Sequence, residues 1–79
     1  MLGLKEARPV ADNEIIFLVR EAEEGGYDAQ ALGADIITQA ADREELEEMV
    51  REAVSVHFDE GERPQIIRLY FVQDEVIVL

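Results

Sequence analysis

The sequence predicts a small α+β domain, with one helix packed on one face of an antiparallel sheet in the order β-β-β-α-β. Three observations carry that reading. A run rich in β-branched and aromatic residues, EIIFLVRE at Glu14–Glu21, meets a Gly-Gly turn at Gly25-Gly26. Two short segments follow, YDAQA and DIITQA. Then comes DREELEEMVREAVSVHF, acidic, capped and spaced as a helix.

Taken in order, residues 1–13 read as an N-terminal tail. Pro9 breaks local structure, and Asp12-Asn13 reads as a turn. Residues 14–79 read as a single domain. Glu14–Glu21 is the first strand. One of its faces carries Ile15, Phe17 and Val19, the other Ile16, Leu18 and Arg20, so both faces are largely apolar. Glu23-Glu24-Gly25-Gly26 is a hairpin turn, where glycine supplies a positive φ. Tyr27–Leu32 makes the second strand, Gly33-Ala34 a break, and Asp35–Ala40 the third.

The helix starts at Asp42, a good N-cap, with Glu45 three residues on in a D-x-x-E capping box. Its early glutamates meet the positive end of the helix dipole. Leu46, Met49, Val50, Ala53, Val56 and His57 are expected to form the buried stripe, and Gly61 to end the helix before Pro64. Gln65–Val72 is the fourth strand. Gln73-Asp74 can turn the chain, so Glu75–Leu79 (EVIVL) can form a short fifth.

Size constrains what this chain can do. Its 79 residues allow one domain with thin stability of its own. There is no cysteine to staple it. The lack of cysteine fits a reducing compartment. The first residues hold no apolar signal segment and no run approaches a membrane span, so a soluble, cytoplasmic protein is expected. Nineteen acidic residues against seven basic give a net charge of −12, which repels nucleic acid and anionic lipid and attracts a basic partner.

One helix covers one face of a four-stranded sheet. The other is expected to expose Ile16, Leu18, Ile66, Tyr70 and Val72, more apolar surface than monomers usually show. A second subunit, or the terminal strand with Val76 and Val78, is expected to cover that face, most simply in a homodimer. The competing cover is residues 1–13 folded back.

The catalytic inventory is thin. Ser55 and His57 sit two positions apart on the helix, about 200° around it, so they do not form a nucleophile–base pair. His57, Asp59 and Glu60 spread around the last turn rather than converging on a metal. Most carboxylates lie on a solvated helix face, which suits general-acid work poorly. Gly25-Gly26 is no phosphate loop, since it follows two acids and leads into a strand. No enzyme activity, cofactor or metal is expected.

The stretch GGYDAQALGADIITQAADREELEEMVREAVSVHFDE resembles the core of HicB-type antitoxins. The resembling elements are Gly26-Tyr27-Asp28-Ala29, the Leu32-Gly33-Ala34 break, Thr38-Gln39-Ala40 and the capped acidic helix from Asp42. The resemblance spans roughly Glu14 to Val72. It implies a reduced ribonuclease-H-like fold that binds and blocks a small basic ribonuclease of the HicA type. It transfers no catalytic residue. The chain stops after its last strand, so the resemblance implies a stand-alone partner domain without the family's DNA-binding module.

Residues 42–60 carry eight acids and two bases, a local net of −6 that can mimic phosphate spacing. Glu44, Glu47, Glu48 and Glu52, off the apolar stripe, are the expected contacts for a basic partner. Two other readings stand beside this one. One is a homo-oligomeric structural or regulatory protein with no toxin partner. The other is a regulatory subunit holding a small ligand.

Overall fold

A computed structural model describes residues 13–79, and the expected tail, with its fold-back as a cover, therefore lies outside the described residues but for Asn13. Four strands and one helix form in the order β1 (Glu14–Glu21), β2 (Tyr27–Ala31), β3 (Ile37–Ala40), α1 (Arg43–His57) and β4 (Ile66–Val72). The α+β class and the β-β-β-α-β order are as the sequence predicts.

The sheet is mixed rather than antiparallel throughout. Its strand order is β3-β2-β1-β4; β1 pairs antiparallel with β2, and β2 with β3, but β4 runs parallel to β1. Chain geometry explains the difference. Two tight connections return β3 to the direction of β1, and α1 then carries the chain back. β4 must start again at the same end as β1, and a parallel pair is what a helical crossover makes.

The fifth strand is not seen. Residues 73–79 belong to no helix or strand, and every side chain from Val76 to Leu79 is at least 77% exposed. Val72, Gln73 and Asp74 include no glycine or asparagine to close a tight hairpin, so the chain is not returned to the sheet.

Period-two alternation settles β1. Ile15, Phe17 and Val19 are buried, while Ile16 and Leu18 are half-buried on the opposite face. The register extends the buried face across the sheet: Phe17 lies between Ala31 and Leu69, Val19 between Ala29 and Phe71, and Ile15 beside Ile67. With Ile36 and the helix residues Leu46, Val50 and Val54, these make the core, and no polar side chain is buried in it.

The loops follow glycine where the sequence places it. Gly25 and Gly26 have φ of 100° and 83°, and the Ala22 N–H donates to the Gly26 carbonyl at 3.0 Å. β2 and β3 are shorter than expected, because the Ala31 N–H donates to the Ile36 carbonyl at 2.9 Å and closes the break into a tight loop.

The helix start matches its capping box. The Glu45 N–H donates to Asp42 Oδ1 at 2.8 Å, and Glu45 Oε1 accepts from the N–H of Ala41 at 2.7 Å, one residue before the cap. The helix end differs. Phe58 turns extended and packs on the core, with its N–H donating to the Val54 carbonyl at 3.1 Å. Gly61 lies beyond, in a 3₁₀ turn at Glu60–Glu62, and does not cap α1.

Candidate interaction surfaces

The position of α1 decides which surfaces remain open. The helix lies along β3, with β2 as its next neighbour. Its buried arc therefore turns toward the middle of the sheet and takes in Val54, not the expected Val56. Val56 is 80% exposed and His57 is exposed too, since that flank overhangs the free edge of β3. A groove of about 410 Å³ results there, floored by Ile36 and Ile37 and flanked by Met49, Val56, Glu52 and Asp35.

Glu44, Glu47, Glu48 and Glu52 are all exposed; Glu44, Glu48 and Glu52 lie opposite the buried arc and Glu47 on its flank. At about 100° per residue the first three fall within one outward arc of the helix. Glu44, Glu48 and Glu52 stand four apart, so they form a single ridge of like charge. Glu45 is set apart from them by its capping bond. Among the described residues the ion pairs are Arg20–Asp74, at 3.6 Å, and Arg68–Glu14, so no base is paired with the ridge; Arg51, three residues after Glu48, is the one base within its arc and leaves it strongly negative.

The sheet face away from α1 holds the residues expected at an oligomer interface. Ile16, Leu18 and Val72 are half-buried there, and Ile66 and Tyr70 are exposed. Arg68 crosses this face onto Glu14, whose carboxylate hydrogen bond and then whose charge hold the guanidinium above its usual pKa. Val76 and Val78 do not reach the face; they stand in solvent beyond β4.

At the other end of the sheet a cleft of about 550 Å³ lies between the start of α1 and the end of β4. Arg43 occupies the first helical position, where the dipole disfavours a cation. Its guanidinium sits 4.0 Å over the ring of Phe71, which Tyr27 meets edge-on at 6.0 Å. Phe71 stays 42% exposed, so the arginine at the start of α1 stands where the helix brings no apolar side chain. No period or spacing in the sequence marks this stack; Arg43 stands 16 residues after Tyr27 and 28 before Phe71, and only the fold joins them.

Among the described residues no group of three or more His, Asp or Glu side chains converges as a metal site would require. No described helix is long and apolar enough to cross a membrane.

No family model and no solved structure matches the chain. Over 66 residues it is 42% identical to a UPF0150 protein of Thermotoga maritima, a match covering 84% of this chain and 93% of that protein. Over 52 residues it is 58% identical to a UPF0150 protein of Archaeoglobus fulgidus, covering 66% of this chain and 77% of that protein. Similarity of that degree, over most of both relatives, means that the chain belongs to the UPF0150 family.

Proposed function

We propose that this chain is a non-catalytic interaction domain, organised like a HicB antitoxin, that binds and neutralises a small basic ribonuclease of the HicA type. The observation that supports the reading is the exposed ridge of Glu44, Glu48 and Glu52, with Glu47 beside it and no described base paired to it. Like charges four apart on a helix repel one another, and a basic partner relieves that repulsion as it docks. Such a surface acts mainly on encounter rate and partner choice.

The test uses a small basic protein encoded beside this one in its native genome. Binding kinetics are measured from low to moderate salt, and inhibition of RNA cleavage is followed in parallel. Charge reversal at Glu44, Glu48 and Glu52 is expected to slow association and flatten its salt dependence, because exposed charges are screened within a Debye length. Association rates unchanged by the triple substitution overturn the reading.

A further inference from the structure

Among the described residues, two features lack partners and fit one another. β4 is an edge strand of seven residues whose outer backbone row pairs with no other described strand. Directly after it come seven more residues, 73–79, without proline or glycine and with their apolar side chains in solvent. An apolar segment beside an open strand edge is a liability unless something pairs with it.

We propose that two copies of this chain exchange these segments, residues 73–79 of each adding as an antiparallel strand to the outer edge of the other's β4. The occupant of each edge is thus a second copy, and the two sheets become one.

Side-chain parity and the extent of β4 together set the register, residues 74–79 of one copy lying along 67–72 of the other. A two-fold axis perpendicular to the sheet keeps each copy's helix on the same side, so opposed residues must share a face and differ by an even number. Centring the pair on Gln73 meets that condition. It sets Tyr70 against the partner's Val76, Leu69 against the partner's Ile77, and Ile67 against the partner's Leu79. Ile67 and Leu69 are only half-buried, because α1 lies over β3 and β2 and leaves β4 uncovered. Ile77 and Leu79 of the second copy would supply the missing neighbours.

Charge favours β4 over the other free edge. The exchanged segment opens with Asp74 and Glu75. The groove beside β3 is flanked by the acids Asp35 and Glu52, whereas this register sets the second copy's Asp74 against Val72, next to Arg20 of β1, and its Glu75 against Phe71, over which Arg43 sits. β3 is also only four residues long. The inference does not depend on the toxin-binding reading, which concerns α1.

Engineered cysteines read the register, because the chain has none of its own. Tyr70 and Val76 are both exposed, so Tyr70→Cys with Val76→Cys leaves the core intact. Opposed residues in an antiparallel pair have Cα atoms about 4.5–5.5 Å apart, within disulfide reach. Mild oxidation is expected to give a covalent dimer on a non-reducing gel. Tyr70→Cys with Ile77→Cys, on opposite faces, is expected to stay unlinked. Ile77→Lys, also at an exposed position, is expected to shift the sedimenting mass from twice 8.9 kDa to 8.9 kDa at one micromolar concentration. Three results overturn the proposal: a monomeric unsubstituted chain, a disulfide formed within one chain, or equal cross-linking by both cysteine pairs.

Discussion

Replacing Glu48 by Gln should make the protein more stable. Glu48 is exposed and makes no ion pair or hydrogen bond within the described residues. Its helical neighbours three and four positions away are Glu44, Glu45, Glu52 and Arg51, three acids against one base. Each such pair contributes about 0.2–0.5 kcal/mol, so removing the charge leaves a net gain of about 0.4–1 kcal/mol at low salt. Glu and Gln have similar helix propensity, and Glu48 lies past the first turn, where the dipole has faded. In a domain this small the gain should raise Tm by about 2–8 °C. The assay is thermal unfolding by circular dichroism at low salt and at 1 M salt, where screening falls to about 3 Å and the difference should vanish. A variant less stable than the parent at low salt, or a gain that survives high salt, refutes the reasoning.

Two further substitutions test the loop and cap geometry. At Gly26 an added Cβ would lie 2.5 Å from the Ala40 carbonyl oxygen in a residue with φ of 83°, while at Gly33, φ 84°, it would meet nothing within 4 Å. Gly33→Ala should therefore cost about 1–2 kcal/mol from backbone strain alone, and Gly26→Ala about 1–3 kcal/mol more, in chemical denaturation; equal losses would mean that the clash is relieved cheaply. Asp42→Ala removes the acceptor of the Glu45 N–H and should cost about 1 kcal/mol, with Asp42→Asn nearly neutral; an unchanged Tm for the alanine variant would show that Glu45 alone holds the helix start.

What was legible in the sequence was local. Strand β1 stands at Glu14–Glu21, because the central run of Ile15, Ile16, Phe17, Leu18 and Val19, flanked by turn signals, leaves little choice. Asp42 caps α1 because side-chain and backbone groups three residues apart settle it between themselves. The misreadings arose where a distant part of the fold decides. Val56 fits a helical stripe as well as Val54 does, and only the seat of α1 over β3 selects between them. Phe58 ends the helix before Gly61 can, because the core draws its ring inward. Glu75–Leu79 has the composition of a strand, but a strand needs an edge to pair with, and none among the described residues reaches it. The acidic ridge needed only helical periodicity to be found, whereas the Arg43–Phe71 stack needed the register of β4.

The way α1 sits on the sheet also explains why this small fold leaves its fourth strand unfinished. A helix is about 10 Å across with its side chains, and strands lie about 4.8 Å apart, so one helix shelters roughly two strands. Seated on β3 and β2, α1 still covers the face of β1, where Phe17 and Val19 share the core with Leu46, Val50 and Val54 and are fully buried. Among the described strands β4 has a neighbour on one side only. Its residues facing α1's side pass from half-buried at Ile67 and Leu69 to exposed at Phe71, where Arg43 leans across in place of an apolar neighbour. Moving α1 toward β4 would uncover Ala29 and Ala31, small residues that fit a helix packed close. The fold thus keeps its helix where small side chains let it approach, and the apolar groups left without cover gather along β4 and the segment that follows it.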